Sequence, residues 1–190
     1  MTTRNPVPHA YPTDTATTTG VQAKMLAVLR IGTGLIFLWA FLDKLFGLGY
    51  ATPAAKAWIA GGSPTKGFLG SVDAGPFQDA FHAIAGTWFA DTFFMLGLAG
   101  VGIAVTLGVA LRFSAIAGGV MMLLMWLAEF PLDRFAADGS PTSSTNPLID
   151  YHVIYAIALV VAAVTFAGNT WGLGRWWANL PFVRNQHWAI

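Results

Sequence analysis

Four long apolar segments are the feature that most constrains the fold of this chain. They cover residues 23–48, 90–111, 113–130 and 147–170. Each is close to the roughly 20 residues that an α-helix needs to cross a hydrocarbon core of about 30 Å. The sequence therefore predicts an all-α integral membrane protein whose four transmembrane helices form a compact bundle.

The composition agrees with a chain that lies mostly in lipid. Of its 190 residues, 55% are hydrophobic and 10% are charged, whereas a soluble domain carries about 25% charged residues. The net charge of +1 gives no reason to expect a nucleic-acid partner. The chain has no cysteine, which excludes disulfides, thiolate metal sites and persulfide chemistry on its own thiols.

The four helices divide the chain into one membrane domain and two tails. Residues 1–22 are predicted to form a disordered cytoplasmic tail, residues 23–180 the membrane domain and residues 181–190 a second cytoplasmic tail. Residues 49–89 form a long outer loop, in which three proline-containing pairs predict starts of short helices: Thr52-Pro53, Ser63-Pro64 and Gly75-Pro76.

Local signals set the predicted ends of these helices. Pro131 should end the third transmembrane helix, and Asn146-Pro147 should begin the fourth as an N-cap followed by proline. The turn between the second and third helices is placed at residues 111–113. In the outer loop, apolar residues at helical spacing predict a helix that lies on the membrane surface or covers the bundle: Phe77, Phe81, Ile84 and Trp88.

Small residues at helical spacing predict close helix packing. Two such ridges are present, one formed by Gly100, Ala104 and Gly108 and the other by Ala115 and Gly119. Small residues let helix backbones approach each other, which is a main route to helix association in lipid. The ridges would serve contacts within one chain or between the protomers of a homo-oligomer.

Basic residues predict the orientation. With both termini in the cytoplasm, six lysines and arginines lie inside and four lie outside, and the side richer in these residues is normally cytoplasmic. We therefore expect a multi-pass protein of the cell's inner or plasma membrane. The inner residues are Arg4, Lys24, Arg30, Arg112, Arg175 and Arg184, and the outer ones are Lys44, Lys56, Lys66 and Arg134.

Charged residues at the outer ends of the helices need an explanation. Asp91 and Asp150 lie at predicted helix N-termini, where the helix dipole stabilises a carboxylate. Asp43 and Glu129 lie at predicted helix C-termini, where the helix dipole destabilises a negatively charged carboxylate. We expect each of these two and Lys44 to find a partner on another helix, with Glu129 favoured over Asp150 as the partner of Lys44. Two interpretations stay open: a salt-bridged clasp between helices, or a polar pocket that accepts a ligand or a proton.

Arg30 also lies within the first apolar segment. It leans toward the cytoplasm, so its guanidinium can extend to the membrane surface. It also shares a helix face with Lys44, fourteen residues later, at a distance of about 21 Å along the axis.

This spacing resembles a known first-helix pattern. Arg30-x-x-x-Gly34, followed by Lys44 and Gly47, is similar to the pattern of the DoxX-like family of small four-helix prokaryotic membrane proteins. Some of its members are membrane subunits of thiosulfate:quinone oxidoreductase. The resemblance covers roughly residues 24–180. Phe41 departs from it, because many members have a small residue there, and the outer loop is longer than in compact members.

The residue types narrow the choice of cofactor. Haem ligation in a bundle needs two histidines at matching depth, but only His152 lies near a transmembrane segment. A metal site at Glu129, Asp150 and His152 matches no known spacing, and there is no nucleotide-binding loop. We therefore expect no haem, metal or nucleotide.

A quinone needs only an apolar slot, aromatic walls and a few polar groups, so it is the expected cofactor. Lys44, Glu129 and Asp43 are the candidate catalytic residues. Five further residues are candidates for binding the quinone: His152, Tyr151, Trp126, Trp39 and Arg30. An ordinary aromatic belt at the membrane interface is the alternative explanation for most of the tryptophans.

Three classes of function remain open. The first, which the resemblance implies, is a quinone-linked oxidoreductase subunit that receives electrons from a small sulfur donor through a partner protein. The second is a non-catalytic membrane anchor or scaffold for redox and sulfur-handling enzymes. The third is a small transporter. This class is less favoured, because four helices leave little room for the inverted repeats of transporters unless the protein oligomerises.

Overall fold

The computed structural model describes residues 20–136, 138–142 and 144–186. Within these ranges the fold is all-α, with no strand and one isolated antiparallel bridge between Phe135 and Pro141. The α-helices are α1 (Gly20–Phe46), α2 (Lys66–Leu69), α3 (Gln78–Ile84), α4 (Trp88–Leu107), α5 (Leu111–Glu129), α6 (Tyr151–Val164) and α7 (Gly174–Ala178). Short 3₁₀ helices cover Ala54–Lys56, Trp58–Ala60 and Ala167–Asn169.

Three helices are long and apolar enough to cross a membrane, namely α1, α4 and α5. The fourth apolar helix, α6, has 14 residues, which span about 21 Å. The prediction of an all-α fold is therefore confirmed in the described residues, and the three candidate spans are compatible with a membrane protein.

The four apolar helices pack in a ring. Helix α1 packs against α4 and α6, and α5 packs against the same two helices from the other side. Helices α1 and α5 therefore occupy opposite corners of the bundle. The buried core between them contains Phe37, Met95, Leu98, Val101, Val105, Met122 and Leu159.

Glycines at the helix interfaces make this packing possible. A Cβ atom at Gly34 would lie 2.5 Å from the Thr106 backbone nitrogen, and one at Gly102 would lie 2.6 Å from that of Leu38. Of the predicted ridge glycines, Gly108 lies at a close contact, since a Cβ atom there would lie 2.7 Å from Cα of Gly168. A Cβ atom at Gly100 or at Gly119 would meet nothing within 4 Å, so these two do not pack closely within the described chain. The use of the ridges between protomers stays a prediction.

The connection between α4 and α5 comes earlier than predicted. Helix α4 ends at Leu107, Gly108 and Ala110 adopt left-handed conformations, and Arg112 lies inside the first turn of α5. The predicted turn at residues 111–113 is therefore wrong. At the other end of α5 the prediction holds, because the helix ends at Glu129, two residues before Pro131.

The start of the fourth helix is also corrected. Asn146 does not cap it; its side-chain oxygen accepts hydrogen bonds from the amides of Leu148 and Ile149, both at 3.0 Å, and forms a turn. Helix α6 begins at Tyr151, with Asp150 as the N-cap. The predicted range 147–170 is therefore too long at both ends, since α6 ends at Val164.

The long loop lies between α1 and α4 and contains the expected short helices. The predicted apolar stripe is interrupted, because α3 ends at Ile84 and Trp88 begins α4, where it is 78% exposed. Phe81 is buried while Phe77 is half-exposed. The end of the bundle that carries residues 47–87 and 130–150 is called the loop side below.

The predicted tails are shorter than expected where the structure describes them. Helix α1 begins at Gly20, three residues before the predicted start. Val183, assigned to the C-terminal tail, is 1% exposed, so the chain still packs on the body there. Residues 1–19 and 187–190, which make up the rest of the two predicted tails, lie outside the described residues.

Candidate functional site

Four polar side chains meet on the loop side, where α5 ends and α6 begins. They are Glu129, Asp150, Tyr151 and His152, and they are called the loop-side cluster below. Helix α5 places Glu129 in its last turn, and α6 places the other three at its N-terminus. Because α5 and α6 are packed neighbours, these two helix ends come together.

Asp150 has two roles. Its Oδ1 accepts a hydrogen bond from the Val153 amide at 3.1 Å and so caps α6. Its Oδ2 lies 2.8 Å from Nδ1 of His152. A carboxylate on Nδ1 favours the tautomer that carries a proton on that atom.

His152 is 1% exposed, and its second ring nitrogen, Nε2, has no hydrogen-bond partner in the described part of the chain. A buried polar atom without a partner normally costs free energy. The imidazole therefore retains one unused hydrogen-bonding position.

Glu129 connects the two helices. Its Oε1 accepts a hydrogen bond from the Tyr151 hydroxyl at 2.6 Å, and its Oε2 lies 3.9 Å from Nδ1 of His152. The Tyr151 ring lies 4.0 Å from the His152 ring, centroid to centroid. The side chain of Glu129 is 37% exposed, so the cluster is open on one side.

This open side faces a cavity of about 550 Å³. Its walls include Glu129, Asp150 and Tyr151 from the cluster, Phe68 and Asp73 from the long loop, and residues 141–142 and 144–146 from the α5–α6 connection. The volume lies within the range of small-molecule sites in proteins. The long loop thus covers part of the cluster.

A second, apolar cavity of about 430 Å³ lies beside the first. It is a groove between α4 and α5 under the loop helices α2 and α3, and it is lined mainly by aromatic, methionine and aliphatic side chains. Phe68 lines both cavities. Sequence reasoning missed this groove, because its wall combines residues of four separate elements.

Lys44 is not part of the loop-side cluster, and the prediction that Glu129 or Asp150 pairs with it is wrong. Within the described residues Lys44 forms no ion pair; its Nζ lies 6.0 Å from the centroid of the Phe94 ring on α4. The reason is the order of the helices, since α1 and α5 occupy opposite corners of the bundle.

Asp43 is also separate from the cluster, although it is 2% exposed. Its two carboxylate oxygens accept hydrogen bonds from the amides of Tyr50 at 3.2 Å and Ala51 at 3.0 Å. It therefore holds the start of the long loop against the end of α1. Neither Asp43 nor Lys44 lines the 550 Å³ cavity.

The Arg30 side chain does not extend out of the protein as the sequence predicts, and it lies at the opposite end of the bundle from the cluster. It is 0% exposed. Its Nη1 donates to the carbonyls of Val105 at 2.6 Å and Thr106 at 2.5 Å, and its Nη2 donates to those of Trp171 at 2.9 Å and Thr170 at 3.4 Å. The interpretation of Arg30 as a quinone-binding residue therefore has no support in its contacts.

The partners of Arg30 explain why this charge is tolerated. Val105 and Thr106 lie in the last turn of α4, where carbonyls lack partners within the helix and carry the negative end of the helix dipole. Leu107, the last residue, accepts from the Leu173 amide at 2.8 Å. Arg30 thus acts as a C-terminal cap for α4 and ties that helix to the segment after α6.

The candidate tryptophans lie apart. Trp39 is 45% exposed and packs edge-on against Tyr50 with ring centroids 5.1 Å apart, which fits the aromatic-belt alternative. Trp126 lies on α5 one turn before Glu129, and its indole Nε1 is buried without a hydrogen-bond partner in the described residues. Neither lines the 550 Å³ cavity.

Asp91 holds the long loop from the side of α4. Its Oδ1 accepts hydrogen bonds from the Thr65 amide at 2.9 Å, the Thr65 hydroxyl at 2.6 Å and the Ser63 hydroxyl at 2.9 Å. Sequence reasoning explained Asp91 by the helix dipole alone. The Ser63-Pro64-Thr65 segment was the available signal, because serine and threonine often supply such hydrogen bonds.

The cluster has the donors of a metal site, although the sequence predicts none. Glu129, Asp150 and His152 each offer one ligand atom, and these atoms lie within 4.8 Å of one another. Two carboxylates and one imidazole form a ligand set that suits a divalent transition metal. The prediction of a metal-free site stays a prediction.

Comparisons of the chain with protein-family models, with curated proteins and with solved structures found no match.

Proposed function

We propose that the chain crosses the membrane four times as a DoxX-like bundle, with both termini in the cytoplasm. Helix α6 is short, but exposed apolar residues precede it at Leu148 and Ile149, and they lengthen its apolar stretch on the loop side. The excess of basic residues on the side opposite the long loop supports the orientation. The first-helix pattern of Arg30, Gly34, Lys44 and Gly47 supports the family.

The proposed function is that of the membrane subunit of a quinone-linked oxidoreductase, with the loop-side cluster as the quinone site. One observation carries this proposal: a Tyr–Glu hydrogen bond lies on the wall of a cavity of about 550 Å³. His152 does not line this cavity, but it lies directly behind the wall, against Tyr151 and Asp150. Lys44 and Asp43, which the sequence favoured, have no role in this version of the site.

The cluster suits the proton chemistry of a quinone. Reduction to the quinol consumes two electrons and two protons, and a proton must reach each carbonyl oxygen. The Tyr151 hydroxyl donates to Glu129 at the cavity wall, with their oxygens 2.6 Å apart, and tyrosine and glutamate side chains can act as general acids and bases. Both protons of the quinol come from water, which reaches the cluster at Glu129, a side chain that is 37% exposed. His152, oriented by Asp150, holds Tyr151 and Glu129 in place from behind.

A partner protein supplies the electrons. The chain has no cysteine, so it cannot hold a sulfur donor as a persulfide. In the reaction that the family resemblance implies, two thiosulfate ions join through a new sulfur–sulfur bond as tetrathionate and release two electrons, which reduce the quinone. The partner protein carries the sulfur chemistry, and this chain carries the quinone and its protons.

A non-catalytic anchor or scaffold is the second candidate. The observation in its favour is that three buried charged residues, Arg30, Asp43 and Asp91, all bind backbone groups and hold the fold together. A scaffold would need these residues but would have no use for a hydrogen-bonded Tyr–Glu pair on the wall of a cavity of about 550 Å³.

Equilibrium binding of a tail-less quinone to the purified protein in phosphatidylcholine nanodiscs tests the proposal. We expect saturable binding that weakens about tenfold in Glu129→Gln, since the hydrogen-bonded acid of the site is lost. Asp138→Asn is the matched control, because it removes a carboxylate from an exposed loop on the same side, where Asp138 bonds Ser140.

Unchanged affinity in Asp138→Asn together with the loss in Glu129→Gln supports a quinone site at the cluster. Absence of saturable binding in the natural chain would contradict the proposed function and favour the scaffold. Equal affinity in all three proteins would place the quinone away from the cluster.

A further inference from the structure

The polar cavity and the apolar groove are neighbours with one shared wall. Phe68 on α2 lines both spaces. It belongs to a small apolar cluster in which Val72 and Ala128 face the polar cavity and Phe81 faces the groove. A polar space and an apolar space therefore meet at one side chain.

The groove extends from this wall toward the middle of the bundle. Its loop-side end is at Phe68 and Met125, and its deep end is at Gly97 on α4 and Ala117 on α5. On α5 the groove runs from Met125 to Ala117, eight residues that correspond to about 12 Å along the helix axis. The residues at its deep end, Gly97 and Ala117, are small.

We propose that the groove holds the prenyl chain of a quinone whose ring occupies the polar cavity. This inference rests on the proposed function, and it names the class of substrate: long-chain prenyl quinones. Phe68 separates the two spaces and is only partly buried, so its ring must rotate aside for the chain to pass. Beyond Phe68 the chain follows α4 and α5 to Gly97.

The charge of the polar cavity selects this occupant over a phospholipid. Asp73, Glu129 and Asp150 line the cavity, and no lysine or arginine is among its described lining residues. Such a wall repels the phosphate of a lipid headgroup but accepts an uncharged quinone ring. Both ends of one molecule must fit, and an uncharged ring with an apolar tail suits an acidic cavity beside an apolar groove better than a lipid with a phosphate does.

The roof of the groove is held in place. Asp91 fixes Thr65 with two hydrogen bonds, and Thr65 lines the groove beside Phe68. The Thr65 hydroxyl also accepts a hydrogen bond from the Gly86 amide at 3.1 Å, which joins the end of α3 to the same point. A fixed roof makes the groove a preformed site, and binding then loses less free energy to ordering of the protein.

A pair of glycine substitutions one turn apart on α4 tests the inference. In Gly97→Leu the new side chain meets the flexible end of Met121, 2.9 Å from the added Cβ, and fills the deep end of the groove. In the matched control Gly100→Leu the new Cβ meets nothing within 4 Å. The probes are a long-chain prenyl quinone and a tail-less quinone with the same ring, both titrated in phosphatidylcholine nanodiscs.

We expect Gly97→Leu to weaken binding of the long-chain quinone about tenfold and to change that of the tail-less quinone by less than about twofold. Gly100→Leu should change neither. If Gly97→Leu binds both probes as the natural chain does, the groove inference is wrong while the quinone site stands. If the natural chain binds neither probe, the proposed function fails and the groove inference fails with it.

Photocrosslinking gives a second test that needs no substitution. A long-chain quinone with a diazirine at the far end of its tail should label α4 and α5 near Gly97 and Ala117, and excess long-chain quinone without the diazirine should suppress the labelling. Labelling equal to that of a diazirine-bearing fatty acid, or labelling that the competitor leaves unchanged, would overturn the inference.

Discussion

Arg30 and His152 are almost equally buried, at 0% and 1% exposed, but their surroundings differ. Both Nη atoms of Arg30 donate to backbone carbonyls, and glycines close around the guanidinium: a Cβ at Gly108 would lie 3.0 Å from Nη1, and one at Gly172 would lie 3.1 Å from Nη2. Each residue keeps one nitrogen without a partner in the described chain, Nε of Arg30 and Nε2 of His152. Only at His152 do the neighbouring side chains, those of Asp150 and Tyr151, line a cavity of about 550 Å³. Burial alone does not separate a structural charge from a functional one.

The two sites differ in whether the groups around the buried residue are free to bind a ligand. At Arg30 the surrounding carbonyls belong to helix and turn backbone, so any change there alters the fold. At His152 the partners are side chains on two helix ends, and one of them, Glu129, is 37% exposed. Such groups can change partners when a ligand enters. Four substitutions test this contrast between a structural and a binding residue. In decreasing order of the expected loss of stability they are Arg30→Met, Gly102→Leu, Asp43→Asn and Glu129→Gln.

Arg30→Met should destabilise the protein most. It removes two short hydrogen bonds from a charged donor to the carbonyls of Val105 and Thr106. Hydrogen bonds to charged groups contribute about 1.5–3 kcal/mol each, so we expect the loss of these two to lower the free energy of unfolding by about 3–6 kcal/mol. Unfolding by sodium dodecyl sulfate in mixed micelles measures this loss. A loss below about 1 kcal/mol would show that the carbonyls do not need Arg30.

Gly102→Leu should have the next largest effect. A Cβ at Gly102 would lie 2.6 Å from the Leu38 backbone nitrogen, so α1 and α4 must separate, which costs about 1–3 kcal/mol. Gly100→Leu on the same helix is the control and should be close to neutral. Equal destabilisation of the two variants, measured in the same unfolding assay, would contradict the packing of α1 on α4.

Asp43→Asn tests whether a buried charged residue on the loop side has a purely structural role, as Arg30 does. Both carboxylate oxygens accept amide hydrogen bonds, and asparagine offers only one acceptor. We expect a loss of about 1–2 kcal/mol of stability with unchanged quinone affinity. Loss of quinone binding in a stable Asp43→Asn protein would contradict this structural role and support the sequence prediction that Asp43 belongs to the quinone site.

Glu129→Gln should change stability least. Glu129 is partly exposed, and the glutamine oxygen can still accept from Tyr151, so the change should stay within about 0.5 kcal/mol. The same unfolding assay applies. A loss above about 2 kcal/mol would favour the clasp interpretation, in which the cluster mainly holds α5 and α6 together.

The sequence predicted the apolar helices well, because the length of an apolar run is a local property. The ends of α6 were predicted less well, since Asn146 and Asp150 are both good capping residues. Only Asp150 caps the helix, and Asn146 forms a turn instead. Local signals identify such candidates but do not choose between them.

The candidate site was predicted in part, and the reason is the order of the helices. Glu129 and His152 lie on sequential helices, which usually pack together, and the structure joins them. To pair with Glu129, the Lys44 side chain would have to reach across the bundle from α1 to α5. No local sequence pattern shows that these two helices lie at opposite corners. The backbone partners of Arg30 are equally invisible in the sequence, because they lie 75 or more residues away.

Ligand-induced stabilisation measures the contrast between the two regions most directly. Tail-less quinone at about 100 times its dissociation constant should add about 2.7 kcal/mol to the free energy of unfolding. We expect Arg30→Lys, which is less stable because lysine cannot reach all the carbonyls, to gain the same increment as the natural chain. Glu129→Gln, tested at the same quinone concentration, should begin at near-natural stability and gain clearly less. An undiminished gain in Glu129→Gln, or a gain lost only in Arg30→Lys, would contradict the assignment of the loop-side cluster as the binding site and of Arg30 as a structural residue.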